Sequence, residues 1–314
     1  MATRSHLRIL ATTLLLASTF AFYLAVSPVR SEEPSLYDYV GAKAELFADP
    51  EAAVESFRSK LSSDNFDGVA QLLGLDPARL ARSEDIKGNF EAIRERASKL
   101  FTVENDGDRR IILLGDEVWP FPFPLTKKEG GKWAFDTQAG IEEIINRRVG
   151  ENELEAIKTV QGYVDGQEEY ASKDRDDDGV LEFAQKLIST AGQTDGLYWP
   201  SDDDSSPAGG LVDEQELRKA KDKGSGYFGY RFRILTGQGN NVAGGRYSYI
   251  INGNMIAGFA LVAWPVRYGE TGVSTFLVNQ AGVVYQKDLG PKTEAIVSGI
   301  TVFDPDKSWD IVTD

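Results

Sequence analysis

The chain has 314 residues, is 41% hydrophobic and 26% charged, and carries a net charge of −15, enough apolar material for one large or two ordinary domains. It contains no cysteine and a single histidine, His6, which falls in a segment that reads as a removable signal. Disulfides, Cys/His zinc sites and Ser-His-Asp or Cys-His catalysis are therefore excluded by inventory, and what remains is paired carboxylates, a Ser-Lys pair or a hard cation held by oxygens.

Arg4, His6 and Arg8 precede an apolar run at 9–26, followed by Ser27-Pro28-Val29-Arg30-Ser31. A positive start, an apolar middle and small residues before a polar stretch describe a secretory signal at 1–31, with cleavage expected after Ser31. The run is also long enough to serve as an uncleaved anchor. The protein is thus expected to be periplasmic or secreted, meeting a membrane only through an uncut signal. Loss of Arg4, Arg8 and Arg30 would take Lys+Arg from 34 to 31 against 49 acids, a net charge of −18. Such a surface repels phosphate backbones, which excludes nucleic acid as the expected partner.

Asp49-Pro50-Glu51 is a helix start: a cap, a proline whose missing amide costs nothing there, and an acid at the positive end of the dipole. Val54, Phe57 and Leu61 then form an apolar stripe. A short helix is expected from Phe66 to its stop at Gly74, Asp76-Pro77 repeats the start signal, and Ile86, Phe90, Ile93 and Ala97 mark a further amphipathic helix. Beyond it the period changes to that of strands. Residues 100–103 and 110–114 flank the turn Asp106-Gly107-Asp108 as a hairpin. In Trp119-Pro120-Phe121-Pro122-Phe123-Pro124 the prolines cannot donate to a ladder, so an edge strand with core aromatics is expected, a binding ledge being the alternative. A strand at 133–135 and a helix carrying Ile141, Ile144 and Ile145 close this half.

At Asn152 a capping residue followed by Glu155 predicts a new helix, with Leu154, Ile157, Val160, Val164 and Ala171 on its buried side. The helix runs into Asp174-Arg175-Asp176-Asp177-Asp178-Gly179, the one pattern here with an explicit chemical reading. Asp174, Asp176 and Asp178 take the first, third and fifth positions of a calcium loop, Gly179 the sharp turn, the Val180 carbonyl the seventh and Glu182 the ninth. The twelfth, where a bidentate acid is usual, is Gln185. The expected ligands are Asp174, Asp176, Asp178, Val180 and Glu182 for a weakened calcium site; the same residues also suit a solvated helix end. Phe183, Leu187 and Ile188 predict a short helix, residues 195–210 a loop with acids at 202–204, and 212–223 a polar helix. Strands are expected at 227–235, 247–251, 258–263, 274–278 and 283–287, with turns at Asn252-Gly253 and Ala281-Gly282. The fold class is α+β with two small domains, 36–150 and 151–314, each pairing helices with an antiparallel sheet.

Trp119-Pro120-Phe121-Pro122, Arg147-Arg148-Val149-Gly150-Glu151-Asn152-Glu153-Leu154, the acidic loop, Gly196-Leu197-Tyr198-Trp199-Pro200 and Phe259-Ala260-Leu261-Val262-Ala263-Trp264-Pro265 resemble those of an exported bacterial family, domain of unknown function 2950. That resemblance implies a bacterial source and export, and brings no reaction with it. Tyr227, Tyr230, Phe232, Pro265, Gly269, Thr271, Gly272, Phe276, Val278 and Gly282-Val283-Val284 also resemble the sheet of type IV pilin and pseudopilin head domains, which follows a long helix; no pilin processing motif is present. Two functions follow as expectations: a non-catalytic binding or envelope-assembly protein acting on a protein or envelope partner, and a glycosidase-like hydrolase using two carboxylates. No cofactor other than calcium is expected.

Overall fold

The computed structural model describes residues 34–200 and 205–313; the expected signal, its cleavage point and the acids at 202–204 lie outside these residues. The first half opens with four capped helices. Asp49 accepts the Ala52 amide at 2.8 Å ahead of α1 (Pro50–Ser62), Asn65 accepts that of Gly68 ahead of α2 (Phe66–Leu72), Asp76 caps α3 (Pro77–Leu80), and Ser83 caps α4 (Glu84–Lys99). Each cap satisfies an amide that the first turn leaves free.

The hairpin follows as β1 (Phe101–Asp106) and β2 (Arg109–Leu114), with Asp106 opposite Arg109 and Gly107 turning at a φ of 58°. The aromatic-proline run departs from the single edge strand expected. Its prolines split it into β3 (Trp119–Pro120), paired with Leu113 and Leu114 of β2, and β4 (Leu125–Lys127), paired with Arg109 and Arg110. Between them the Phe121 amide still reaches the Ile112 carbonyl at 2.8 Å. β5 (Trp133–Phe135) extends the sheet beyond β4, so β4 is interior, while β3 pairs only with β2 and keeps the edge position expected of this run. Phe121 and Phe123 are core residues, as expected; the Phe57 ring of α1 lies 4.8 Å from that of Phe121 and 5.4 Å from that of Phe135.

One helix, α5 (Thr137–Ala171), then runs 35 residues from its Asp136 cap, through the position at which a new helix was expected to start. No proline interrupts it. Asn152 does not cap: its Nδ2 donates to the Thr271 carbonyl at 2.9 Å, while Glu153 Oε1 accepts the amides of Val273 and Ser274, each at 2.8 Å. These polar residues hold a distant loop and leave the helix unbroken. The buried face also differs from the expected stripe. Ala156, Val160, Tyr163, Val164, Gln167 and Tyr170 are buried, whereas Leu154, about 120° around the helix from Val160, is 61% exposed.

After α6 (Glu214–Lys223), the second half is antiparallel. β6 (Tyr230–Leu235) leads to the short pairs β7 (Gly237–Gln238) with β8 (Tyr247–Ser248) and β9 (Ile250–Ile251) with β10 (Asn254–Met255). The main sheet adds β11 (Ala260–Pro265), β12 (Ser274–Asn279), β13 (Tyr285–Asp288) and, after α7 (Thr293–Ser298), β14 (Asp310–Ile311), in the order β14-β13-β12-β11-β6. Every residue of β11 is buried. Since alternate side chains leave opposite faces, both faces of that strand are covered, which is why its sequence is apolar throughout instead of alternating. α5 packs on β11 and β12, and α7 on β11.

The protein is an α+β structure whose large buried side chains fall into two clusters. One joins α1, α2, the first sheet, and Ile141 and Ile145 of α5; the other joins Ala156 to Tyr170 of α5 with the second sheet. The expected boundary at 150/151 falls between those two groups of α5 residues, inside the helix. Among the described residues no helix is long and apolar enough to cross a membrane.

Candidate functional site

α5 ends at Ala171, and the chain turns sharply through two residues with positive φ, Asp177 at 60° and Gly179 at 86°. Aspartate tolerates this region and glycine enters it without steric cost. A Cβ at Gly179 would meet nothing within 4 Å, so backbone angle and not space favours glycine there. The turn closes on itself. Asp174 Oδ2 accepts the Gly179 amide at 2.9 Å and Asp178 Oδ1 accepts that of Val180 at 2.8 Å.

This closure gathers three carboxylates. Asp174, Asp176 and Asp178 each offer an oxygen within 4.8 Å of the others. Asp174 is half-buried, and its Oδ1 is shielded from solvent without a hydrogen-bond partner. Calcium–oxygen distances are about 2.3–2.6 Å, so oxygens on opposite sides of one ion stand up to roughly 5 Å apart. The spacing and the all-oxygen donor set fit a hard cation. The Val180 carbonyl, the next expected ligand, accepts no hydrogen bond from the described residues. Glu182 stands apart from the three: its Oε2 accepts the Met255 amide at 3.1 Å.

Residues remote in sequence hold the loop in place. Asn254 Nδ2 donates to Asp178 Oδ2 at 2.7 Å, the Phe183 amide donates to the Met255 carbonyl at 2.8 Å, and Gln185 Nε2 donates to the Gly253 carbonyl at 2.8 Å. Gln185, at the position that lacks the usual bidentate acid, therefore clasps the β9–β10 turn. Behind the loop, the fully buried Gln167 accepts the Ala184 amide at 2.7 Å and donates to the Ala184 carbonyl at 2.9 Å. That pairing takes the Ala184 peptide groups, and the backbone is irregular where a short helix was expected at 183–188. The segment instead bridges Ile188 to Tyr198. Arg175 folds back, its Nε donating to the Tyr170 carbonyl at 3.1 Å and its guanidinium 5.0 Å from the Tyr170 ring and 5.5 Å from that of Trp199.

Sequence reasoning did not identify Asn254, Gln167 or Arg175 as parts of this site. Asn252-Gly253 marked a turn near Asn254, but nothing local places that turn beside residues 174–185.

Electrostatics distinguishes the acids. The Gly179 amide, followed by those of Asp177 and Asp176, holds the Asp174 carboxyl below the usual range. Burial pushes the Glu182 carboxyl up, outweighing the Met255 amide, and the charges of Asp176 and Asp178 add to the rise.

A family model described as Protein of unknown function (DUF2950) matches residues 44–312. No curated protein and no solved structure matches the chain.

Proposed function

The chain belongs to the DUF2950 family, and from that premise we propose that it is an exported, non-catalytic binding protein whose loop at 174–182 is steadied by calcium. The observation that carries the calcium reading is the cluster of three carboxylate oxygens within 4.8 Å on a turn closed by the Gly179 amide. Like charges at that separation repel, and a divalent cation relieves the repulsion while fixing the turn. Asp174, Asp176 and Asp178 supply the charge and the Val180 carbonyl a neutral ligand; Glu182 joins directly or through water. Because Gln185 replaces the customary bidentate acid and is engaged with Gly253, the affinity belongs in the range of roughly 10⁻⁴ to 10⁻³ M found for extracellular modules.

Export rests on residues 1–31, and a periplasmic or secreted address suits a weak calcium site. The partner is a protein or envelope component. A net charge of −18 after removal of the signal argues against nucleic acid. The long helix on an antiparallel sheet is the arrangement behind the pilin-head likeness, and it supports an envelope-assembly role by analogy alone.

Calorimetry with calcium on the full-length protein and on Asp176→Ala tests the site. The expected result is saturable heat at millimolar calcium that the variant loses. With ten times the dissociation constant of free calcium, mass action stabilises the native form by about 1.4 kcal/mol, a rise in melting temperature of roughly 2–5 °C. Absence of heat, or equal shifts in both proteins, would leave the loop a solvated helix end. For export, the mass of the protein recovered outside the cytoplasm should correspond to a chain starting near Glu32; an intact chain found free in the cytoplasm contradicts that reading.

A further inference from the structure

Away from the acidic loop, a cleft of about 670 Å³ opens between the segment at 40–46 and the region of α2 and α3. That volume lies within the range of pockets that enclose small ligands or the end of a peptide. That segment is a strap pinned at both ends. Val40 bridges to Leu75 and the Gly41 amide donates to the Gly74 carbonyl at 2.9 Å; at the other end Phe47 and Trp133 exchange backbone bonds of 2.8 and 2.9 Å. A Cβ at Gly41 would lie 2.7 Å from backbone atoms of Leu75 and Asp76, so the strap is seated closely at this pin.

Between the pins, the backbone groups of residues 42–46 make no hydrogen bond with any described residue. They form a short irregular run with open donors and acceptors, and Lys43 and Glu45 of it line the cavity. Val40, Leu72 and Leu75 give the cleft apolar lining, and Val40 is 44% exposed. Its charge is the reverse of the molecule's. Arg79 pairs with Asp76 at 3.2 Å, which leaves Lys43 and Lys60 against Glu45. Neither lysine ammonium has a partner among the described residues. A local excess of positive charge thus persists in a chain of net charge −15.

We infer that this cleft binds the C-terminal end of an extended peptide. The carboxylate is taken by the Lys43 and Lys60 ammonium groups, the main chain adds alongside residues 42–46, and a terminal apolar side chain enters between Val40, Leu72 and Leu75. Unpaired backbone donors and acceptors are matched by those of another main chain, the physics of strand addition with carboxylate capture. A fatty acid would meet the lysines and the apolar lining but leave that backbone unpaired. The inference rests on the binding reading above and supplies its partner class; it does not depend on calcium.

The test uses the full-length protein in EDTA and an N-terminally labelled hexapeptide of alternating threonine and leucine, ending in leucine. Fluorescence anisotropy should show saturable binding of the free acid and binding weaker by about tenfold for the C-terminal amide, the loss of one charge-assisted contact. Lys43→Gln combined with Lys60→Gln should remove the preference for the acid without lowering the melting temperature, since neither side chain has a partner to lose. Equal binding of acid and amide, no saturation at millimolar peptide, or a preference that survives the double substitution would overturn the inference. Because calcium is absent throughout, failure here is distinct from failure of the acidic loop to bind calcium.

Discussion

At the scale of single residues, Gln167 has the largest structural consequence. A fully buried side-chain amide is costly unless every polar atom is matched, and here both ends meet the peptide groups of Ala184 while the amide nitrogen also reaches the Tyr163 hydroxyl at 3.0 Å. Gln167→Leu keeps the volume and strands the Ala184 amide and carbonyl, while the Tyr163 hydroxyl keeps its bond to the Ala260 carbonyl. Urea unfolding should show a loss of about 2–4 kcal/mol, well above the cost of an exposed Gln→Leu change. Asp195 carries a pH dependence. The Lys186 ammonium, with the Thr190 amide, holds its carboxyl down to about 2. A folded-state value below the unfolded one adds stability above the ordinary carboxylate range, and that contribution is lost as pH falls from about 4 toward 2. Asp195→Asn should therefore lower the melting temperature slightly at pH 7 and leave it unchanged near pH 2. The change at neutral pH is small because the pair is largely solvated.

At the scale of elements, α5 separates intrinsic helix propensity from packing. Two of its glycines give opposite predictions for the same substitution. A Cβ at Gly140 would lie 2.0 Å from Phe123 Cδ1, inside the aromatic cluster that the Trp-Pro-Phe-Pro-Phe run builds beneath the helix. A Cβ at Gly150 would meet nothing within 4 Å. Alanine normally stabilises a helix over glycine by about 0.5–1 kcal/mol, so Gly150→Ala should raise stability by that amount. Gly140→Ala should lower it by about 1–3 kcal/mol, because the ring cannot retreat in a filled core. Chemical denaturation of the two variants reads both signs. A neutral or destabilising Gly150→Ala would mean that the backbone at 150 is not helical in solution.

At the scale of the whole molecule, one helix serves two buried clusters that share no side chain. Contacts between the halves outside α5 include Ser35 Oγ to Glu270 at 3.0 Å and Lys223 to Asp85 at 3.4 Å, neither of them fully buried. A cut at 150 would sever α5 but remove no buried side chain from either cluster. Fragments 36–150 and 151–314 are accordingly expected to unfold cooperatively on their own, each less stable than in the intact chain, by circular dichroism in urea. Fragments without a cooperative transition would show that continuity of α5 is needed by both cores.

What the sequence determined by itself is what depends on residue inventory or on neighbours a few positions apart. The lack of thiol and of imidazole outside His6 bounded the chemistry. Asp49 and Asp76 marked helix starts because a cap bonds two or three residues onward, the β1–β2 turn followed from Asp106-Gly107-Asp108, and the spacing of Asp174, Asp176, Asp178 and Gly179 identified a turn that closes within six residues. The remaining features depend on contacts between distant segments. Asn152 and Glu153 read locally as a helix start, yet their partners are Thr271, Val273 and Ser274, more than a hundred positions away. Residues 183–188 read as a helix by apolar spacing, yet Gln167 and Met255 take the backbone groups of Phe183 and Ala184. Glu182 and Gln185 were assigned by loop position, and the chain folds the β9–β10 turn against both. The cleft beside Lys43 and Lys60 had no signature, because its walls come from segments that only packing brings together. Local hydrogen bonding and backbone sterics are legible in one dimension, whereas the partner of a buried or bridging polar group is chosen by the fold.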